Sequence, residues 1–200
     1  MVAYSTLVYL FSDRFVDKAR FQGEEVPCKG NKVRQDDLAM KLVAASISWL
    51  HENDHVKLDM GKRSKMLGLR KISTVTVQKM GTLGLSSSSL ESVLWDKAEK
   101  NDNLFDLTSR IIGRAKRDNP ESVIIKIVKD HLADEGYMDK KKKMLLLTEY
   151  IPDCNRISEL EDSMEEIPEI YSSIKNKKLY EQILHDIKAG IKNMTQVDID

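Results

Sequence analysis

Residues 37–60 read DLAMKLVAASISWLHENDHVKLDM, and this stretch decides the fold. Leu38, Leu42, Ala45 and Trp49 fall on one helical face, and Val43, Ile47 and Leu50 widen it. So broad an apolar stripe belongs to a buried helix. The helix is expected from about Asp37 to Glu52. Asp36 or Asp37 would cap it by accepting hydrogen bonds from free N–H groups, and Asn53-Asp54 would stop it. Val56 to Met60 then alternates as a strand does, and Ser73-Thr74-Val75-Thr76-Val77 alternates again. Between them lies GKRSKMLGLRK. The whole reads as a β-hairpin with a basic, glycine-containing tip.

The plan recurs. Leu50-His51-Glu52-Asn53-Asp54-His55-Val56 closes a buried helix and opens a strand. Leu132-Ala133-Asp134-Glu135-Gly136-Tyr137-Met138 does the same at the same spacing, and each is followed by a basic hairpin. A helix feeding a two-stranded hairpin is the core of a winged-helix unit. The expected fold is therefore α+β, mainly helical, with winged-helix-like helix–hairpin units packed as one compact domain over residues 1–200. The duplicated units would span about residues 36–80 and 121–151, with C-terminal helices at 155–194. A tandem array is the alternative.

Elsewhere the spacing predicts an N-terminal core helix through Tyr4, Leu7, Val8, Phe11 and Phe15, rather than a leader peptide. Residues 22–37 read as a loop. Ser88-Ser89-Leu90-Glu91 reads as a capping box, and a further helix runs from about Leu104 to Lys116. Asn119-Pro120 breaks it. Ser122 to Glu135 is helical and Gly136 ends it. Tyr137-Met138 and Met144 to Tyr150 read as strands around Lys140 to Lys143. Ile157, Leu160, Met164 and Ile167 mark a short acidic helix. Tyr180, Ile183, Leu184, Ile187 and Ile191 mark the last one.

The 200 residues carry 32 basic and 32 acidic side chains, and 41% are hydrophobic. That composition excludes a disordered chain and a wholly basic nucleic-acid protein, but not a local basic patch. No phosphate-binding loop, dinucleotide fingerprint or nucleophile elbow is present. Cys28 and Cys154 stand 126 positions apart and form no recognisable framework. They read as thiols in a reducing, cytoplasmic setting, with Cys28 a loop thiol.

His51-Glu52-Asn53-Asp54-His55 matches H-E-x-x-H, in which two imidazoles one helical turn apart hold zinc. The helix is expected to end inside the motif, which breaks that geometry, so the match reads as fortuitous. No metal and no cofactor are expected. Charge placement is more informative. From Lys57 to Lys79 seven basic residues face Asp59 alone, and from Glu149 to Glu169 eight acidic residues face Arg156 alone. Lys62, Arg63, Lys65, Arg70 and Lys71 are candidate anion-binding residues. So are Lys140, Lys141, Lys142 and Lys143, which run straight into Met144-Leu145-Leu146-Leu147. A buried strand would explain the apolar run. A membrane-surface hairpin would explain both halves, with Leu145, Leu146 and Leu147 entering the interface. A protein partner is the remaining reading. Trp49 and Trp95 sit at helical core positions, so no row of aromatics offers a stacking platform.

The order STLVYLFSD, a buried helix ending LHEND, HVKLD, GKRSKMLGLRK, STVTV and then KDHLADEGYMDKKKKMLLLTEYIPD resembles the Golgi phosphoprotein 3 family, over about residues 5–165. The resemblance implies a mostly helical fold with hairpins, peripheral membrane association, binding of a phosphoinositide headgroup and an adaptor role. The family's headgroup pocket uses a tryptophan and arginines; the matching turns here hold Val43, Ser122 and Ile125, so that pocket does not carry over. Lys126 and Lys129 lie near it. What carries over is the hairpin Lys140 to Leu147 as a membrane contact. The expected function is a non-enzymatic, cytoplasmic adaptor, peripheral on an anionic membrane or on a protein partner. The runner-up is a tandem winged-helix protein that binds DNA or serves as a scaffold.

Overall fold

The computed structural model describes residues 2–65, 70–113, 119–143, 147–164 and 176–193. Helix α1 (Tyr4–Leu10) buries Ser5 through Leu10, so it is a core helix, but it ends before Phe11 and Phe15, and a turn of 3-10 helix at Ser12–Arg14 follows. The loop that follows holds a short ladder, β1 (Glu24–Glu25) against β2 (Lys32–Val33). Helix α2 (Gln35–Glu52) is the centre of the fold, with every residue from Leu42 to Leu50 buried. It starts two residues earlier than Asp37. Arg34 holds the N-cap position and no side chain caps it. Asp36 and Asp37 fall in the first turn, where a carboxylate suits the positive end of the helix dipole. Asp36 bonds back to Arg34 at 2.7 Å, and that bond lowers its carboxyl below the usual value.

The first hairpin is longer than its alternation suggests. Strands β3 (Val56–Lys65) and β4 (Arg70–Lys79) pair over their full ten residues. The basic segment is therefore largely strand, and residues 66–69 lie outside the described residues. Gly61 stands in mid-strand because a Cβ there would meet Thr76 Cγ2 at 2.4 Å. Strand β5 (Asn101–Asn103) pairs with the near end of β4.

Helix α3 (Leu90–Lys97) is capped by Ser89, which accepts from Ser92 N. The expected box on Ser88 and Glu91 does not form. Glu91 turns inward and accepts from Ser5 N at 3.0 Å, Ser5 Oγ at 2.9 Å and Ser46 Oγ at 3.0 Å, joining α1, α2 and α3. Helix α4 (Leu104–Ile112) ends at Gly113, φ +71°, short of the predicted Lys116; residues 114–118 lie outside the described residues. Asn119 caps helix α5 (Pro120–Asp134), with Pro120 in its first turn, so the pair expected to break the preceding helix opens the next one, while α4 has already ended at Gly113.

Strands β6 (Met138–Lys143) and β7 (Leu147–Pro152) make the second hairpin. The lysines belong to the first strand, not to the turn. The second strand is described from Leu147 and runs to Pro152, past the expected Tyr150; Met144, Leu145 and Leu146 lie outside the described residues. Helix α6 (Cys154–Ser158) and a short turn of 3-10 helix at Asp162–Met164 replace the expected acidic helix, and Ile167 lies outside the described residues. Helix α7 (Lys177–Asn193) buries Ile183, Ile187 and Ile191. Side chains from each of α1 to α7 join one hydrophobic cluster. The architecture is α+β, with helices packed around α2 and small antiparallel sheets.

The two predicted joints share their hydrogen bonds. His55 N donates to Leu50 O at 2.9 Å, and Tyr137 N donates to Leu132 O at 2.8 Å. Between them Asp54 (φ +58°) and Gly136 (φ +78°) take the left-handed conformation that turns a helix into a strand. Across the base of each hairpin Met80 N donates to His55 O, and Asp153 N to Tyr137 O.

Cys28 and Cys154 are bonded to each other, with Sγ atoms 2.06 Å apart and Cα atoms 5.7 Å apart. This corrects the reading of two isolated thiols. Separation along the chain says nothing about separation in space, and the Cys28 loop folds onto the start of α6. The cysteines therefore no longer support a reducing compartment, because a lasting disulfide belongs to an oxidising one.

Candidate functional site

The end of α5 and the second hairpin are built around one carboxylate. Asp130 lies one turn below the joint. Lys126 bonds to it from the preceding turn, Lys140 Nζ from β6 at 2.6 Å and Tyr150 OH from β7 at 2.6 Å. Burial pushes the Asp130 carboxyl up, but the bonds from Lys126, Lys140 and Tyr150 together outweigh it and hold the group at about 2. Burial, and then the bond to Asp130, raise the Tyr150 phenol. The bond to Asp130 likewise raises the Lys140 ammonium.

Lys140 is thus occupied in fixing the hairpin to its helix. Lys141 and Lys142 are exposed and make no ion pair among the described residues. Lys143 pairs in register with Leu147; Leu145 and Leu146 lie outside the described residues. Of the other two lysines singled out in the sequence, Lys126 serves Asp130, while Lys129 bonds Glu24 at 2.8 Å and stands over the Tyr150 ring at 4.9 Å. Tyr9 OH also donates to Glu24, at 2.8 Å. Both lysines are matched by protein carboxylates.

The first hairpin does not present its cations as one patch. Successive strand residues point to opposite faces. Arg63 lies flat over the Phe105 ring of α4, its guanidinium carbon 3.5 Å from the centroid. Arg70 shares a cleft with it. Lys62 and Lys71 are exposed and, one position removed along each strand, belong to the other face. Lys65 pairs with Arg70 at the end of the ladder.

His51 and His55 end on different elements. The helix stops at Glu52, Asp54 turns the chain, and His55 stacks on Trp49 with centroids 5.5 Å apart. His51 Nδ1 faces Val56 O at 3.2 Å, and Glu52 accepts from Tyr4 OH at 2.7 Å. That bond, after burial, raises the Tyr4 phenol to about 12. The motif is therefore spread over a helix end and a strand start, and cannot bring both imidazoles to one ion in the i, i+4 manner. No cluster of metal-ligating side chains occurs among the described residues.

Sequence reading missed one polar pair. Ser88 Oγ and His131 Nδ1 are 3.1 Å apart beside a cavity of about 450 Å³ that Glu135 and Tyr137 also line. A hydroxyl bonded to an imidazole is the start of a nucleophile–base arrangement. Here no carboxylate bonds the other imidazole nitrogen among the described residues, so what the bond does is pin the serine-rich loop to α5. The signal was present as GLSSSS, but its partner lies 43 positions away.

No helix among the described residues is long and apolar enough to cross a membrane. Comparison with known proteins finds no family model, no curated protein and no solved structure that matches the chain.

Proposed function

We propose that the protein is a non-enzymatic adaptor that docks peripherally on an anionic membrane surface through the end of its second hairpin. The observation that carries the reading is the register of β6 and β7. Lys143 pairs with Leu147, and the exposed Lys141 and Lys142 stand on the strand that leads into the leucine run. Cations near an anionic surface contribute ~1 kcal/mol each, and leucines beside them add burial in the interface. Neither half alone gives lasting attachment; together they do. The same contact is what the resemblance to the Golgi phosphoprotein 3 family implies.

The duplicated helix–hairpin joint favours a second reading, a tandem winged-helix protein on DNA. In that reading Lys62, Arg63, Lys65, Arg70 and Lys71 would touch phosphates. The split of Arg63 and Arg70 from Lys62 and Lys71 counts against it, since a wing lays one face on the backbone.

Co-sedimentation separates the two. Vesicles containing phosphatidylserine should retain the protein, and neutral phosphatidylcholine vesicles should not. Leu146→Asp and the pair Lys141→Glu with Lys142→Glu should each lower binding by about tenfold or more. No retention on anionic vesicles at low salt overturns the docking reading. Binding to duplex DNA with a steep salt slope and no response to Leu146→Asp supports the second one.

A further inference from the structure

The first hairpin, α4 and α7 enclose an open cleft of about 770 Å³ that the docking reading does not use. Phe105 and Ile72 give it apolar lining, and Arg63 and Arg70 from the strands and His185 and Lys192 from α7 give it basic lining. We propose that this cleft binds a phosphomonoester, with the guanidinium groups of Arg63 and Arg70 gripping the phosphate.

Four observations converge on that ligand. First, Arg63 is pre-positioned. Its guanidinium is held flat on the Phe105 ring, and its Nε is shut away from solvent with no acceptor within reach. The ring fixes the plane of the guanidinium, and its Nη nitrogens, which are not shut away, are the donors an anion in the cleft would meet. Second, Arg70 stands two residues from Ile72, the register partner of Arg63, so the two arginines share a strand face on neighbouring strands. Third, His185 and Lys192 are seven residues apart, two turns of α7, and so face the same cleft.

Fourth, no carboxylate is among the described residues that line the cleft. Asp186, next to it in α7, is buried and accepts from Thr74 Oγ1 at 2.8 Å, Val75 N at 2.7 Å and Gln182 Nε2 at 2.8 Å, and lies 3.4 Å from His185 Nδ1. It closes the open edge of β4 beyond β5. Among the described residues, neither Arg63 nor Arg70 has an acid partner. Two guanidinium groups match the three oxygens and nearly double charge of a phosphomonoester better than the two oxygens and single charge of a carboxylate. The phosphate could arrive free or as a lipid headgroup; the chemistry of the grip is the same.

The proposal stands on the first hairpin and the docking reading on the second, so each can fail alone. The test is calorimetric titration of the full chain at low ionic strength with phenyl phosphate, and with benzoate as the carboxylate control. Phenyl phosphate should bind and benzoate should bind at least about tenfold more weakly. Arg63→Lys, which keeps the charge and loses the fork, and Arg70→Ala should each weaken phenyl phosphate about tenfold. Lys62→Ala, Lys71→Ala and Leu146→Asp should leave it unchanged. Thermal unfolding of each variant confirms that it is folded.

Vesicle arms identify the source. Tighter retention on phosphatidic acid than on phosphatidylserine, with the difference lost in Arg63→Lys, points to the lipid. Phenyl phosphate binding without that difference points to a free phosphate ester. No binding of phenyl phosphate overturns the proposal. So does equal affinity for benzoate, or an equal loss in Lys62→Ala and Lys71→Ala, since the attraction would then be diffuse surface charge.

Discussion

The two hairpins start from the same joint and are held by different means. The first gains a third strand from β5, and α7 closes the remaining edge of β4 with Asp186 and Gln182. Its order comes from packing and from buried hydrogen bonds. Among the described residues the second has no third strand. It is fixed at its base by the Cys28–Cys154 bond, just beyond β7, and by Asp130 gathering Lys126, Lys140 and Tyr150. One local design thus serves two ends: a hairpin absorbed into the fold as a wall, and a hairpin whose described ties gather near its root. An identical turn does not fix what a hairpin does. The elements arriving from elsewhere in the chain do.

The largest test of that contrast is reduction. Removing the disulfide frees a constraint on a 126-residue separation, and should cost up to about 5 kcal/mol, with about 2–4 kcal/mol more usual. Cys28→Ser should lower Tm, and reductant should bring the wild type to the same value without moving the variant. Amide exchange should quicken across β6 and β7 and stay slow in β3 and β4. Equal quickening in both hairpins would erase the distinction.

Asp186→Ala should do the reverse. It strands Val75 N and Thr74 Oγ1 in a buried site, at a cost of about 2–4 kcal/mol by urea unfolding. Exchange should quicken along β4 and not along β7.

The joints themselves should differ more gently. Asp54 carries a side chain at φ +58°, so Asp54→Gly should be neutral or stabilise by up to about 1 kcal/mol. Gly136→Ala should destabilise by about 1–2 kcal/mol, because φ is +78° and the new Cβ would come 2.3 Å from Arg156 Nη1.

Smallest is the pH effect of Asp130. Its folded pKa lies below its ordinary 3.8, at about 2. Its contribution to stability is therefore complete above pH 3.8 and is lost as the pH falls towards about 2. Asp130→Asn should remove that part of the acid dependence, seen as a flatter Tm against pH over this interval.

Much of this frame was legible in the sequence. Helix α2 could be read because its apolar stripe repeats at 3.6 residues, and both joints because a helix end and a strand start sit at one spacing. In the second hairpin the lysines were read as the turn because four in a row carry no alternation; β6 is a strand on account of its pairing with β7, not its own pattern. Asp186 was invisible for a different reason. A carboxylate on an amphipathic helix reads as solvated, and only the arrival of β4, more than 100 positions earlier in the chain, turns it into an edge cap. The cleft was half legible: Arg63 and Arg70 stood out as charges, but alternation divides them from Lys62 and Lys71. His185 belongs to the far end of the chain. The cysteines could be counted but not paired, since their meeting depends on the whole tertiary path.

That pairing has a topological consequence. Residues 28–154 form a covalent ring that contains both hairpins and every helix from α2 to α5. A protease that cuts one bond anywhere in the ring opens it without releasing a fragment. On a non-reducing gel such a nicked chain would migrate as one species and would fall into two pieces only with reductant. Damage at either hairpin would pass unnoticed until the bond is broken, so the chain's apparent resistance to proteolysis must be judged in the reduced state.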